Sequence, residues 1–511
     1  MPASRTGVAA AGVILVIFLY AIDGTVVSIA MPTVVARLGD LELYSWVFSI
    51  YMLTSALATP LFGKLSDLFG RRRLMLIGIA IFTLGSALCG AAQSMGQLIV
   101  FRAIQGIGGG AIYALSFIII SVVFPGEKRA KMQGLISGVW GISSILAPLI
   151  GGLITQYWSW RWIFFVNLPG ALVATVLIMA GFREATASGR KPQLDLKGAV
   201  SLLLGLLLLF YALAPGGKGS HGLSLFSFVL SAFALATLAV FFILERGSKE
   251  PIIPPDLFRL HLFKMAAALG ALAAMGVFGV ISYLPLYIQG VLGGTASEAG
   301  TALLLASVAW TGGSVMAGQG MNRFGYRAVC VAGMALMALG YGLFINLGAR
   351  VGMLGALLDG ILVGAGMGMV NVTTLVAAQN GVPISRVGVA TSTVMLFRTF
   401  GGAFGVSLMG SVLFTEMYRQ LVGLSVRSGM GISVTDLERL ANPQNLMEPS
   451  VRLGIPERLL PVLVDVLGDS IWYAFLAGFV LMLIGFISSL FMDALTPATT
   501  PRPAGASEPK M

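Results

Sequence analysis

Stretches of about twenty apolar residues, parted by short polar turns, recur from one end of the chain to the other. Each is long enough to cross a bilayer as a helix, and the pattern predicts about fourteen spans. The first runs from Thr6 to Met31, the fourth from Met95 to Val123, the twelfth from Val351 to Gln379 and the last from Ile471 to Leu495. Met1 to Arg5 mimics the start of a signal peptide. The apolar run continues through Asp23 to Pro32 with no convincing cleavage site, so a retained first span is expected.

One charged turn is used twice. Gly63-Lys-Leu-Ser-Asp-Leu-Phe-Gly-Arg-Arg-Arg73 returns, altered, as Gly318-Gln-Gly-Met-Asn-Arg-Phe-Gly-Tyr-Arg327. In register, Gly63 falls on Gly318, Asp67 on Asn322, Gly70 on Gly325 and Arg72 on Arg327. Duplicated halves are a common plan for transporters. The expected division is a six-helix bundle over residues 1–182, a linker with two extra spans over 183–262, and a second six-helix bundle over 263–495. A long loop covers 418–470, where Thr435 to Glu438 has capping-box spacing and Pro456 to Leu467 suits an amphipathic helix. The tail, 496–511, is rich in Pro and Ala and is expected to be disordered.

Composition fits this plan. Of 511 residues, 57% are hydrophobic and only 10% charged, against about 25% charged in soluble domains. The net charge of +11 resides in short loops between spans, which argues for topology and against nucleic-acid binding. Lys64 with Arg71 to Arg73, Lys128 to Lys131, Arg190 to Lys197, Arg246 to Lys249 and Arg323 to Arg327 fall on one side, expected to be the cytoplasm. An even span count puts both termini there, in a cell (inner) membrane. Cys89 and Cys330 lie in apolar runs and form no metal or disulfide pattern.

A charge at membrane depth is costly unless paired or hydrated. Asp23, Arg102, Asp359 and Arg398 are the candidates. At about 1.5 Å per residue, Asp23 and Arg102 lie roughly 10 Å from the outer face, and Asp359 and Arg398 roughly 12–14 Å from it. Each acid therefore has a base at similar depth in its own half. The functional reading is a proton-coupling pair, with the arginine tuning or holding the acid, since desolvation favours the neutral acid and a nearby cation the charged one. The structural reading is a permanent ion pair. Small residues on span 4, Gly106 to Gly110, and on span 5, Ser143, Ala147, Gly151 and Gly152, admit a close neighbouring helix, and Pro148 can bend span 5. Gln105, Trp140, Tyr283, Trp310 and Asn371 are candidate contacts to a substrate in a central cavity, set against ordinary helix packing.

Four of these stretches resemble the major facilitator superfamily, in its fourteen-span drug:proton antiporter branch. The Gly63 to Arg73 turn looks like the signature loop between spans 2 and 3. Ile22 to Pro32 is similar to the first-span motif, with Ser28 where Asn is usual, and Arg102-Ala-Ile-Gln-Gly-Ile-Gly108 to the span 4 motif linked with proton transfer. Ser143 to Gly152 is similar to the span 5 antiporter motif, with Ala147 in place of its usual Gly. The resemblance implies two rocking six-helix bundles with two inserted central helices, and export rather than import. It also implies a cytoplasmic latch of Gly63, Asp67, Gly70, Arg71 and Arg72 that steadies the outward-open state, with Asn322 marking a weaker one. The expected partners are protons, lipid and small amphipathic, often cationic, substrates. A periplasmic adaptor is expected only where the cell has two membranes. No cofactor or metal is expected. No Gly-x-x-x-x-Gly-Lys-Ser/Thr loop is present, which disfavours ATP hydrolysis, and no nucleophile or His-rich cluster suggests an enzyme. An exporter of one dedicated metabolite and a transport-inactive receptor or scaffold remain the alternatives.

Overall fold

The computed structural model describes residues 3–38, 44–124, 127–182, 195–213, 225–248, 251–347, 352–428 and 460–497. These are almost wholly helical: α1 (Ala3–Leu38), α2 (Tyr44–Phe69), α3 (Arg71–Ala91), α4 (Met95–Val123), α5 (Glu127–Tyr157), the single turn α6 (Trp162–Phe165), α7 (Asn167–Gly181), α8 (Leu196–Leu213), α9 (Leu225–Gly247), α10 (His261–Gly290), α11 (Ala296–Leu347), α12 (Met353–Asn380), α13 (Val387–Ser428) and α14 (Leu460–Ser489). Eleven segments among the described residues are long and apolar enough to cross a membrane. The expected fourteen are not reached by that measure. One segment, Ser297–Asn346, holds two of the expected helices on either side of Gly325, Lys197–Leu209 is short, and α5 is not among the eleven. The capping-box segment 435–438, most of the 418–470 loop and the tail beyond 497 lie outside the described residues. Pro456 also lies outside them, and from Leu460 the chain runs into α14 as one helix rather than a separate amphipathic one.

Local sequence explains where helices start and turn. Ser94 caps α4 by accepting from Gln97 N at 3.3 Å. Thr295 and Glu298 cap α11 reciprocally, with Thr295 N donating to Glu298 Oε2 at 2.7 Å and Glu298 N to Thr295 Oγ1 at 3.2 Å. Gly70 and Gly325, matched in the sequence repeat, both take left-handed backbone, with φ of 92° and 81°. That geometry strains any residue with a Cβ, so both copies of the charged turn need glycine at this position.

Helices α1 to α7 pack mainly on one another, as do α10 to α14. The glycine run of α4 makes the first group tight. A Cβ at Gly106 would stand 2.1 Å from Thr54 Oγ1 of α2, one at Gly108 2.3 Å from Phe82 N of α3, and one at Gly110 2.2 Å from Ser55 O of α2. In the second group Gly401 and Gly405 of α13 meet the backbone of α10 in the same way. Without a hydrophobic driving force between helices in lipid, such close approach is what dispersion contacts reward.

The groups touch along two seams, α2 with α13 and α5 with α11. The second is again built from small residues: Gly134 faces Ser314 O, Gly141 faces Thr311 Oγ1 and Gly318 faces Ala130 O. The helices α8 and α9 lie over the first seam. Ala199, Leu202, Leu206 and Phe241 cluster with Leu57 and Leu61 of α2 and Leu396 of α13. The Glu245 carboxylate ties α9 to the following linker by accepting from Ile252 N and Ile253 N, both at 3.0 Å.

Candidate functional site

Asp23 and Arg102 meet. Arg102 Nη1 donates to Asp23 Oδ2 at 2.6 Å, and both side chains are buried. Gln105, one turn along α4, donates to Asp23 Oδ1 at 2.8 Å and accepts from Arg102 at 2.8 Å. Asn167, the first residue of α7, donates to the same Asp23 oxygen at 3.0 Å, and Ser86 of α3 accepts from both Asn167 and Gln105. Tyr51 of α2 lays its ring 3.9 Å from the guanidinium carbon, and Arg102 Nε reaches Val47 O. Five helices thus converge on one ion pair. Satisfying both charges in this way is the condition under which burial in low dielectric is tolerated. Gln105, expected as a cavity residue, belongs to this network. Asn167, Ser86 and Tyr51 were not singled out in the sequence; the signal for Asn167 was one amide in an apolar run.

Asp359 and Arg398 do not meet, which corrects the expected second pair. Asp359 is fully buried, and neither carboxylate oxygen has a hydrogen-bond partner among the described residues. It stands against the bare backbone of α11, where a Cβ on Gly340 would come within 3.2 Å of Oδ1. The neighbouring Tyr341 hydroxyl donates instead to Gly276 O at 2.7 Å. Arg398 donates through Nη2 to Asn371 O and to Thr374 Oγ1, the latter at 2.7 Å. The expected common depth is not kept either: Arg398 meets α12 at Asn371 and Thr374, about 18–22 Å along that helix from Asp359.

Beside the ion pair lies an aromatic group. Tyr20 stacks on Tyr51 and Tyr113 with ring centroids 6.1 and 5.7 Å apart, and Trp140 sets its edge to both Tyr20 and Tyr113. Trp140 stays 39% exposed, so the group has an open edge. Of the other expected cavity residues, Tyr283 spends its hydroxyl on Val406 O at 2.7 Å, and Trp310 packs partly buried against the core. Asn371 lends its carbonyl to Arg398.

At the end of the molecule where the basic turns lie, Asp67 accepts from Gly388 N at 3.3 Å and Val389 N at 3.0 Å, the first amides of α13. Arg71 donates to Asp67 at 3.0 Å and to Ile384 O at 2.7 Å. An acid at a helix N-terminus is favoured by the unsatisfied amides and the helix dipole. Across the seam Arg71 donates to the Ile384 carbonyl, and Arg72 donates to Met179 O within its own half. Gly63 leaves room for Ser392 of α13, whose Oγ would lie 2.3 Å from a Cβ there. The second seam is closed at the same end by Arg129 with Asn380 and by Gln133 with Gln379 at 3.3 Å. On α5, Ser143 and Ala147 are buried, as is Gly151. The side chains of Pro148 and Gly152 lie outside the described residues.

The family model described as Major Facilitator Superfamily matches residues 13–406. The multidrug transporter protein MdtP of Bacillus subtilis (strain 168) is 33% identical over 500 residues, covering 95% of this chain and 92% of that protein. Multidrug resistance protein 3 of the same organism is 34% identical over 495 residues, covering 96% and 95%. Among solved structures, the proton:xylose symporter XylE bound to 6-bromo-6-deoxy-D-glucose superposes with a TM-score of 0.61 at 16% identity, over 98% of this chain and 99% of that one.

Proposed function

Since the chain belongs to the major facilitator superfamily, as a multi-pass membrane transporter, we propose that it exports amphipathic compounds in exchange for protons by alternating access. The basic face is then the cytoplasmic one. Contacts from Asp67, Arg71, Arg129 and Gln133 close the halves on each other at that face, as an outward-facing state would require. The relatives' names, multidrug transporter and multidrug resistance protein, support a drug-like cargo and export.

The observation that carries proton coupling is the contrast between the two buried acids. Asp23 holds a cation and two amides, while Asp359 holds nothing. An ionised carboxylate without partner or water would carry its whole desolvation cost, and a neutral one far less. Asp359 is therefore the natural seat of a proton in this conformation. Asp23 is the acid that would take one when movement of α1 against α4 draws Arg102 away. Each half then has one acid whose protonation depends on helix arrangement, which is what coupling requires.

The test is fluorescent-dye uptake into inside-out vesicles with and without an imposed pH gradient, for the wild type, Asp23→Asn and Asp359→Asn. Uptake that needs the gradient and fails in either variant supports the reading. Gradient-driven uptake that survives both substitutions refutes these acids as carriers, and uptake indifferent to the gradient refutes coupling.

A further inference from the structure

The pair α8 and α9 carries a groove of about 760 Å³ on its outer side. The two helices run antiparallel and close together. A Cβ at Gly198 would stand 2.7 Å from Glu245 Oε1, and one at Gly205 2.8 Å from Leu238 Cδ2. Ala199, Leu202 and Leu206 of α8 turn inward, to the cluster with α2 and α13. Lys197, Val200, Ser201 and Leu204 line the groove, and at about 100° per residue they occupy the opposite face of α8. The groove thus opens away from the two bundles. Its other wall belongs to Val229–Gly247, the least buried of the eleven apolar segments.

Its lining is apolar along its length and cationic at one end. Val200, Leu204, Phe233, Val240 and Leu244 are exposed walls. Ser201 and Thr237 turn their hydroxyls back to their own helices, donating to Gly198 O at 3.0 Å and Phe233 O at 2.9 Å, so neither has a proton for a polar solute. Lys197 stands at the basic end. It is exposed and in no ion pair among the described residues. The acids beside it face backbone amides: Asp195 accepts from Gly198 N at 2.8 Å, and Glu245 from Ile252 N and Ile253 N. On α9 the groove runs from Phe233 to Leu244, eleven positions or about 16 Å. Half of a hydrocarbon core of about 30 Å is about 15 Å. The groove therefore matches one leaflet, the one beside the basic turns, and Lys197 falls at the level of its headgroups.

We infer that this groove is a binding site for an anionic phospholipid, with one acyl chain between α8 and α9 and the phosphate on the Lys197 ammonium. The lysine stem lies along apolar surface while its charge stays at headgroup level. A zwitterionic headgroup brings its own cation and gains less from that charge. The site lies on the outer face of α8 and α9, apart from the space between the halves, and does not depend on the exporter reading.

The experiment puts a bimane label on the groove wall through Val240→Cys. The native Cys89 and Cys330 are buried and stay unlabelled. The full chain is reconstituted in phosphatidylcholine vesicles holding a small, equal fraction of either phosphatidylglycerol or phosphatidylcholine with brominated chains, which quench the label on contact. Quenching at Val240→Cys should report a preference for phosphatidylglycerol of about fivefold. At Ile484→Cys, an exposed position of α14, it should report none. Lys197→Gln should bring Val240→Cys down to the level of Ile484→Cys. Ala236→Phe, which fills the groove and leaves the charge, should do the same. Equal quenching by the two lipids at Val240→Cys overturns the inference, as does a preference that survives either substitution in folded protein. A preference equally strong at Ile484→Cys also overturns it, since the overall charge of the protein would then be its cause. Protection of the Val240→Cys label from both lipids overturns it in favour of a second copy of the chain on this face.

Discussion

Replacing Asp67 with Ala should open the basic face. The carboxylate is nearly buried, and two of its three hydrogen bonds cross from one half to the other, to Gly388 N and Val389 N. A hydrogen bond to a charged group contributes about 1.5–3 kcal/mol net. Water recovers part of that when the halves separate, and the dipole of α13 adds a few tenths. Taken together, the substitution should cost the closed form about 2–4 kcal/mol relative to the open one. That changes the ratio of closed to open molecules by roughly 30- to 900-fold. Because Arg71 still reaches Ile384 O, the seam should weaken rather than vanish. Asp67→Asn keeps an accepting oxygen without the charge and should fall between. The assay is the distance distribution between spin labels at Lys131→Cys on α5 and Arg323→Cys on α11, two exposed positions beside the other seam. The wild type should give one short distance, and Asp67→Ala a large added population at longer distance. Superimposable distributions in a folded Asp67→Ala protein would show that these bonds do not distinguish the two conformations, and would refute the reasoning.

Three further outcomes follow from the packing and the buried charges. Asp23→Ala strands Arg102 and should lower stability by about 3–5 kcal/mol, seen as a marked fall in the thermal midpoint in detergent; Asp359→Asn breaks no hydrogen bond and should leave the midpoint unchanged or raise it. Gly106→Ala puts a Cβ 2.1 Å from Thr54 Oγ1 and 2.6 Å from Tyr51 O, so α2 and α4 must move apart, and the purified protein should lose its monodisperse elution peak. Gly325→Ala strains a left-handed residue, at about 1–2 kcal/mol, and should lower the midpoint while leaving elution intact.

The fold could be read from the chain because its signals act along one dimension. Apolar length sets a span, and basic turns set the side. The paired turns at Gly70 and Gly325 carry a conformation only glycine adopts freely. The span total by apolar length falls short because two helices meeting at Gly325 lie in one apolar run, the stretch after Lys197 is short, and α5 is not among the segments apolar enough to count. Asp67 was identifiable as an acid beside arginines. What it binds was not, since its partners are backbone amides about 320 positions away, and amides leave no trace in a residue pattern.

The candidate site divides on the same physical ground. Position along a helix fixes depth at about 1.5 Å per residue, but each residue also turns about 100° around the axis, and packing of neighbouring helices decides which face looks inward. Asp23 and Arg102 share both depth and facing direction because the glycines at 106, 108 and 110 let α2 and α3 clasp α4 and fix its rotation. Asp359 and Arg398 share neither. On α12, Asp359 packs against Gly340 of α11, while Asn371 and Thr374, about three to four turns further along, take Arg398 of α13. Separated, Asp359 keeps no hydrogen-bond partner among the described residues, while Arg398 is held by Asn371 O and Thr374 Oγ1. Had they been paired, the second half would carry a buried ion pair like that of Asp23 with Arg102 in the first.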